Sequence, residues 1–374
     1  MPVRALARVN LAAVERNVQR LRSALTGGAR LGVVVKADGY GHGAVPVARA
    51  AQRAGADWLA VATAPEAVQL RAAGLQGPLL VMGALGRDEL AQAVESGADV
   101  VAWTPEFVDE VGRLRQDRPV GVHVKLDTGM GRLGTRDRNE ALAVAERVSG
   151  TGSAVTLRGA MTHFATADDD PEFLTSQLQR FAPFVQALRA RRPQVIVHAA
   201  NSAATLSAAE SHFDLVRCGI AVYGCDPLGT DPEERQLEPA LELSSYVAAL
   251  KPARPGDTLG YGRRYTVQRD TWIATVPVGY GDGLPRALSN NCDVLIAGRR
   301  YPVAGTLSMD NLTADIGPDP EIAVGDRVTV IGTDGGERQT AEDLARRVDT
   351  INYEIVCGLS ARVPRVYHRD GSPE

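Results

Sequence analysis

The chain contains very little lysine. Of its 374 residues, 41 are lysine or arginine, and only Lys36, Lys125 and Lys251 are lysines. Arginine therefore supplies nearly all of the positive charge. An amine can form a Schiff base or a carbamate, whereas a permanently protonated guanidinium does neither readily. The three lysines are accordingly the first positions to consider for chemistry.

Cysteine, net charge and long apolar runs are scarce as well. Four cysteines form no CxxC pair, which argues against a disulfide framework and indicates reduced thiols. A net charge of −4 gives no reason to expect nucleic acid or a membrane surface as partner. No apolar run approaches the roughly 20 residues of a membrane span, the N-terminus has no signal-peptide core, and no metal-site or dinucleotide motif occurs. We expect a cytoplasmic protein that acts on a small molecule and has no metal site.

Eight short apolar segments alternate with alanine-rich amphipathic stretches in the first part of the chain. They are Leu31–Val35, Trp58–Ala62, Leu79–Met82, Asp99–Trp103, Val122–Leu126, Leu157–His163, Val195–Ala199 and Leu215–Tyr223. Such runs are typical of strands buried on both faces of a parallel sheet. Eight strands with intervening helices predict an α/β fold that begins with a (β/α)8 TIM-type barrel. A doubly wound open sheet is the alternative.

The pattern changes after about residue 231. Short strand-like segments and Gly/Asp/Pro turns predominate there, including Leu241–Leu250 and Thr271–Val278, and one helix is predicted near Thr340–Arg347. We therefore predict two domains, a barrel over residues 1–235 and a mostly β domain over residues 236–374.

Candidate functional residues lie at the ends of several predicted barrel strands, where a parallel barrel carries its functional groups. The candidates are Lys36, Tyr40, Lys125, Arg132, His163, Ser202, Arg217, Gly219 and Ile220. Ser202 and the Gly219–Ile220 turn follow strands seven and eight, the usual phosphate-binding loops of this fold. A strand-end lysine together with a phosphate site suggests pyridoxal 5'-phosphate. The alternative for Lys36 is a lysine that merely extends from a strand end into solvent.

Short glycine-rich and polar motifs occur along the whole chain. The segment VVKADGYGHG begins at Val34, and KLDTGMGRLG begins at Lys125. Further segments are THFA at Thr162, NSAA at Asn201, RCGI at Arg217, GYG at Gly260, GYGDG at Gly279, SMD at Ser308 and INYE at Ile351. These motifs resemble those of bacterial alanine racemases. One such motif would be weak support, but this many in order across both predicted domains are highly specific.

The resemblance implies roles for individual residues. Lys36 would hold pyridoxal phosphate as an internal aldimine and act as one acid/base, and Tyr261 would be the opposing base, supplied by the second subunit of a homodimer with shared active sites. Arg132 and Met309 would bind the substrate, and Tyr280 would narrow the entrance. The residues implied to hold the phosphate are Tyr40, Ser202, Gly219, Ile220 and Tyr353.

Three implied roles have alternatives that the sequence leaves open. Arg217 would hydrogen-bond the pyridine nitrogen and keep it unprotonated, because arginine retains its proton; otherwise it is a surface arginine. His163 would orient neighbouring groups at the cofactor; otherwise it is a hydrogen-bonded core histidine. Lys125 is a candidate carbamylated lysine that would hydrogen-bond Arg132; an ordinary lysine–carboxylate pair is the alternative.

The implied activity is the racemisation of L-alanine and D-alanine by two bases, which would supply D-alanine for peptidoglycan. A serine or broad-specificity amino-acid racemase is the nearest alternative. A non-catalytic pyridoxal phosphate carrier is less favoured, because such proteins usually lack the β domain and the opposing tyrosine.

Overall fold

The computed structural model describes residues 3–114, 118–152, 154–318 and 321–374. These residues form two compact units. One is Val14–Val222, and the other combines the N-terminal segment through Ala13 with Tyr223–Glu374. The chain starts with strand β1 (Leu6–Asn10) and helix α1 (Leu11–Ser23). The Asn10 side chain accepts a hydrogen bond from the Ala12 amide (3.1 Å) and so caps the helix.

The unit Val14–Val222 contains eight parallel strands among its described residues. They are β2 (Arg30–Val34), β3 (Trp58–Val61), β4 (Leu79–Val81), β5 (Asp99–Ala102), β6 (Val120–Lys125), β7 (Val155–Met161), β8 (Ile196–His198) and β9 (Leu215–Cys218). Their order is β8-β7-β6-β5-β4-β3-β2-β9. The amides of Asp214 and Arg217 donate to the carbonyls of Val197 (3.0 Å) and Ala200 (2.9 Å), which joins β9 to β8. This closure confirms the predicted barrel and excludes the open sheet.

Helices connect the barrel strands. They are α2 (Lys36–Tyr40), α3 (Ala44–Arg53), α4 (Ala64–Ala72), α5 (Arg87–Glu95), α6 (Pro105–Arg113), α7 (Arg138–Gly150), α8 (Pro171–Arg191) and α9 (Ser202–Ser207). Several begin with a side-chain cap; Asp170, for example, accepts from the Phe173 amide at 3.0 Å ahead of Pro171. No helix in the described ranges is long and apolar enough to cross a bilayer.

The second unit is mostly β. Its strands after β1 are β10 (Leu241–Tyr246), β11 (Ala249–Ala253), β12 (Thr258–Leu259), β13 (Tyr265–Thr266), β14 (Thr271–Val276), β15 (Asp293–Ile296), β16 (Arg299–Pro302), β17 (Leu312–Asp315), β18 (Arg327–Asp334), β19 (Glu337–Gln339), β20 (Arg365–Arg369) and β21 (Ser372–Pro373). Its helices are α10 (Ala341–Arg347) and α11 (Asn352–Cys357). The main sheet has the order β16-β15-β18-β10-β1-β20-β21, and β11-β14-β17 form a second sheet.

Two features of this unit differ from the local sequence pattern. The segment Leu241–Leu250 forms two strands, because the Val247 amide bonds to Asp326 whereas the Ala248 amide bonds to Thr275 in the other sheet. Strand β1 pairs with β10 and β20, so the first residues of the chain join this unit. The predicted limits at 235/236 did not anticipate that pairing, because local periodicity carries no information on which distant strand an edge will meet.

Candidate active site

A left-handed turn follows Lys36 at the end of β2. Ala37, Asp38 and Gly39 all have φ between 52° and 60° and ψ between 46° and 51°, and Tyr40 has φ 51°. Non-glycine residues in this region cost about 1–2 kcal/mol each, and such strain is concentrated at functional sites. The Asp38 carboxylate accepts from the Ala44 amide (2.9 Å) and holds the turn. As a result the Lys36 amine lies 5.9 Å from the centre of the Tyr40 ring.

Tyr40, Ser202 and Gly219 meet at the same end of the barrel. Tyr40 and Ser202 are buried, and a Cβ on Gly219 would lie 2.3 Å from the Tyr40 hydroxyl oxygen. The Ser202 hydroxyl accepts from the amides of Gly219 (2.9 Å) and Ala221 (3.4 Å). Its own hydrogen therefore stays available as a donor. Ile220, which follows Gly219, is fully buried.

Arg217 is buried and hydrogen-bonds four acceptors. Nη1 donates to His198 Nδ1 (3.0 Å), and the two hydrogens of Nη2 are shared among the carbonyls of Thr162 and Ala199 (both 2.9 Å) and His163 Nδ1 (3.1 Å). Burial lowers the pKa of Arg217 to about 10, so the guanidinium is still charged at neutral pH. Because a guanidinium only donates, the imidazole form that gives Arg217 a partner is the one that accepts at Nδ1 and carries its hydrogen on Nε2.

Several positive charges converge around His163. Burial, and then the charges of Arg217, Lys125, Arg132 and Lys36, hold the pKa of His163 well below its usual value. Burial, followed by Arg217 and Arg132, lowers the pKa of Lys125 to about 8. An anionic ligand would offset this concentration of charge. A phosphate-bearing cofactor with a reactive aldehyde fits this donor set: an amine at Lys36, a hydroxyl donor at Ser202 and a charged donor at Arg217.

The loop that carries Arg132 is organised by Asp127. The Asp127 carboxylate accepts from the amides of Gly129 (3.0 Å) and Gly131 (3.0 Å), and Arg136 Nε pairs with it at 3.2 Å. Arg132 itself is exposed, so its guanidinium is accessible to a carboxylate.

Gln177 supports the backbone beside His163 from helix α8. Its side chain donates to the His163 carbonyl (3.1 Å) and to the Thr128 hydroxyl (3.0 Å), and it accepts from the Ala165 amide (2.9 Å). Gln177 is fully buried. Its hydrogen bonds therefore join the loop after β6 to the loop after β7.

Tyr261 lies in the mostly β unit and is strongly exposed. Its side chain is 73% accessible, and its carbonyl accepts from the Thr306 hydroxyl (2.9 Å). Gly260 has φ 70°, and a Cβ there would lie 2.9 Å from the Thr306 amide nitrogen. The backbone therefore requires glycine before Tyr261, and the phenol extends away from the unit's own core.

Met309 and Tyr280 lie side by side in the same unit, and both are exposed. The Tyr280 amide donates to the Ser308 carbonyl (3.1 Å), and the Gly281 amide donates to the Met309 carbonyl (2.8 Å). Asp310 pairs with Arg362 at 2.6 Å and supports this loop.

Tyr353 is half-buried in the short helix α11. The neighbouring Asn352 side chain anchors the helix by donating to the Asp226 carbonyl (2.7 Å) and to the Glu342 carboxylate (2.8 Å).

The barrel unit thus brings together most of the predicted site residues. Lys36, Tyr40, Lys125, Arg132, His163, Ser202, Arg217, Gly219 and Ile220 all follow or end its strands. Tyr261, Met309 and Tyr353 belong to the other unit. The left-handed turn was not anticipated, although glycines at 39, 41 and 43 are a signal for positive φ. His198 is not among the predicted site residues, because one histidine in an apolar strand does not indicate its partner.

Comparison with known proteins identifies the family. The alanine racemase N-terminal domain model matches residues 9–227, and the C-terminal domain model matches residues 240–367. The chain is 43% identical over 366 residues to an alanine racemase of Symbiobacterium thermophilum, covering 96% of each chain. It is 38% identical to alanine racemase 1 of Bacillus subtilis, covering 98% of this chain and 93% of that one.

Solved structures agree with the sequence comparison. The alanine racemase of a D-cycloserine-producing Streptomyces lavendulae is 39% identical with a TM-score of 0.91, covering 98% of both chains. A Bacillus anthracis alanine racemase solved with bound L-Ala-P is 36% identical, again with a TM-score of 0.91, covering 100% of this chain and 97% of that one. With both family domains matched and relatives alike over nearly their whole length, the chain belongs to the alanine racemase family.

Proposed function

We propose that this chain interconverts L-alanine and D-alanine with pyridoxal 5'-phosphate as its cofactor. The observation that carries the proposal is the convergence, at one end of the barrel, of the Lys36 amine, the buried Arg217 guanidinium and the Tyr40–Ser202–Gly219 cluster. The relatives named alanine racemases support the choice of substrate. A cytoplasmic location and the supply of D-alanine for peptidoglycan are part of the same proposal.

The barrel residues divide the work of holding the cofactor. The bound cofactor supplies an electron-withdrawing system that acidifies the hydrogen on the substrate Cα. Lys36 provides the attachment point. Tyr40, Ser202 and the Gly219–Ile220 backbone would hold the phosphate, and the resemblance to the family adds Tyr353 of the other unit as a further phosphate residue. Arg217 would donate to the pyridine nitrogen, and His163 lies 3.1 Å from its Nη2 and helps to keep the guanidinium in place.

Two residues would move the proton. Racemisation removes the Cα hydrogen from one face and returns a proton to the other face, so it needs an acid/base on each side. Lys36 serves one face and Tyr261 the other, with Tyr261 contributed by the second subunit of a homodimer. The exposure of the Tyr261 phenol, 73% in the single chain, supports a role outside its own subunit. Arg132 would hold the substrate carboxylate, and the Met309 backbone would contact it from the second subunit.

The direct test is turnover by the purified chain. L-alanine should yield D-alanine, and D-alanine should yield L-alanine, with pyridoxal phosphate bound. L-serine supplied in parallel separates an alanine racemase from a serine or broad-specificity racemase. A protein that binds the cofactor but turns over neither amino acid would be a carrier, and the proposal would be wrong.

The first prediction concerns the phosphate residues. Gly219→Ala should weaken cofactor binding by about tenfold or more, because its Cβ would lie 2.3 Å from the Tyr40 hydroxyl and a displaced hydrogen-bonding group costs about 1–3 kcal/mol. Titration of the apoprotein with pyridoxal phosphate, followed by fluorescence quenching, measures the Kd. Gly150→Ala is the matched control, because its Cβ would meet nothing within 4 Å. Equal Kd values for the two variants would remove Gly219 from the phosphate site.

Lys125 is proposed as a carbamate. A carbamate forms when the neutral amine attacks carbon dioxide and loses a proton, so the reaction needs the unprotonated lysine. With a pKa of about 8, roughly a tenth of the Lys125 side chains are neutral at pH 7, whereas an ordinary lysine is neutral about 300-fold less often. The resulting anion would sit beside Arg132 and Arg217, the two cations that lower the pKa of the amine.

The second prediction tests this modification. Protein equilibrated with ¹³C-labelled bicarbonate should show one carbamate ¹³C resonance that is absent from Lys125→Met. The signal should weaken as the pH falls below about 8, because protonation removes the nucleophile. Lys251→Met is the control, since Lys251 is exposed and should not contribute to the signal. If the resonance is absent from wild-type protein, Lys125 is an unmodified lysine.

A further inference from the structure

A chain of hydrogen bonds continues from Arg217 through the interior of the barrel. His198, which accepts from Arg217 at Nδ1, lies with its Nε2 2.7 Å from His123 Nδ1. His123 Nε2 lies 3.3 Å from the Asp99 carboxylate. Both imidazoles are fully buried. The four residues stand on four different strands, β5, β6, β8 and β9, so only the closed barrel brings them into one line.

Arg217 and Asp99, the two ends of this series of hydrogen bonds, determine the direction of every hydrogen bond between them. Arg217 can only donate, so His198 Nδ1 accepts and Nε2 carries the hydrogen. His198 Nε2 then donates to His123 Nδ1, and His123 Nε2 donates to Asp99, which as a carboxylate only accepts. Burial, followed by His123 and Arg217, holds the pKa of His198 well below its usual value, which keeps its imidazole neutral. All hydrogens therefore point from Arg217 toward Asp99.

The neighbouring strands leave room for these side chains. A Cβ on Gly159 in β7 would lie 2.1 Å from His123 Nδ1, and a Cβ on Gly121 in β6 would lie 2.2 Å from Asp99 Oδ1. Trp58 packs edge-on against His123 with ring centres 5.5 Å apart. Two glycines and one aromatic ring thus define the place of His123 and Asp99 independently of the hydrogen bonds.

We propose that Asp99 and His123 are positioning residues that hold His198 in its Nε2–H form and thereby keep the Arg217 guanidinium in its orientation. The inference rests on the function proposed above, in which Arg217 faces the cofactor. If the chain of hydrogen bonds were reversed, His198 would present Nδ1–H to a guanidinium that also donates. Arg217 would then lose an acceptor and could rotate. A carboxylate at the far end opposes that reversal, because it offers no hydrogen to donate back.

The test measures the tautomers of His123 and His198 by NMR. Histidine labelled with ¹⁵N distinguishes Nδ1–H from Nε2–H imidazoles, and single-histidine replacements assign His123 and His198. Three variants perturb the chain in different ways. Asp99→Asn preserves the shape but offers a donor as well as an acceptor. His123→Phe removes the link while retaining a buried ring. Gly159→Ala displaces His123 without changing any hydrogen-bonding group.

We expect both His123 and His198 to be Nε2–H in the wild-type protein. Each variant should show a population of Nδ1–H at His198, and kcat should fall by about ten- to a hundredfold, the cost of one orphaned buried hydrogen bond. KM should change little, because Arg132 is untouched. Arg158→Gln is the matched control: Arg158 Nε lies 3.5 Å from the same Asp99 oxygen on the solvent side, yet it is outside the chain of hydrogen bonds.

Two results would overturn the proposal. One is an Nδ1–H tautomer at His198 in the unmodified protein. The other is a wild-type kcat and an unchanged His198 spectrum in both Asp99→Asn and His123→Phe. Asp99→Asn conserves volume, so its result stands even if His123→Phe does not fold. The spectra need no substrate, and they therefore remain decisive if the chain proves not to racemise alanine.

Discussion

Replacement of Tyr261 by phenylalanine should lower kcat by about 10²–10⁴-fold in both directions while cofactor binding persists, because a positioned acid/base contributes about that factor. Tyr261 is 73% exposed, and its hydrogen bond with Thr306 is made by its backbone carbonyl. Loss of the phenol hydroxyl should therefore leave the fold of the unit unchanged. Solvent and Cα isotope effects should become unequal for the two enantiomers, since only one face of Cα loses its base. Tyr301→Phe, elsewhere in the same unit, is the control and should retain wild-type kinetics.

Subunit mixing tests whether Tyr261 acts across a dimer. Tyr261→Phe and Lys36→Ala proteins should each be nearly inactive. In a mixed dimer with shared sites, one of the two sites combines an intact Lys36 with an intact Tyr261. Activity should then return to at most about half that of a wild-type dimer. Mixed dimers verified by mass spectrometry that stay as inactive as their parents would place Tyr261 within its own subunit's site or outside the site.

Replacement of Lys36 by arginine should abolish turnover, with a loss greater than about 10⁴-fold, because the variant loses both the attachment and an acid/base group. Arginine keeps the positive charge and much of the length, so the loss would isolate the chemistry of the amine from its electrostatics. Borohydride reduction of the wild-type holoprotein, followed by peptide mapping, should place a pyridoxyl group on Lys36.

The two remaining lysines are internal controls for that experiment. Lys251 is exposed, and Lys251→Arg should retain both activity and the label on Lys36. Lys125 is buried and should carry no pyridoxyl group. A label on Lys125 or Lys251 in the wild-type protein would contradict the assignment of Lys36.

Much of the site follows from local sequence. Lys36 ends an apolar run, and the rule that barrel enzymes use the carboxyl ends of their strands makes it a candidate for the functional edge, together with His163 and Arg217; the structure has all three at the ends of barrel strands. The capping box of α10 was also predictable, because Thr340 and Asp343 exchange hydrogen bonds within one turn (3.2 and 2.8 Å). These features depend on neighbours three to seven residues away, which is the range that periodicity and capping patterns report.

Other features needed the closed barrel. Asp99, His123 and His198 lie in runs that read as apolar strands, and their sequence separations of 24 and 75 residues give no local sign of contact. The left-handed turn at Ala37–Tyr40 needs an unfavourable φ at three non-glycine residues, which local propensity opposes and only surrounding contacts can enforce.

The sequence by itself determined the strand count, the class of the barrel, the second β unit and the residues at the strand ends, because each is written in short-range patterns of apolar, glycine and capping residues. Only the tertiary structure decided that β1 joins the β unit and that Arg217 rests on two neutral imidazoles. It also decided that one of those imidazoles, His198, is linked by hydrogen bonds through His123 to Asp99. The physical reason is that register and closure of a parallel barrel select contacts between distant strands, and the direction of a buried hydrogen-bond chain depends on which donor and acceptor stand at its ends.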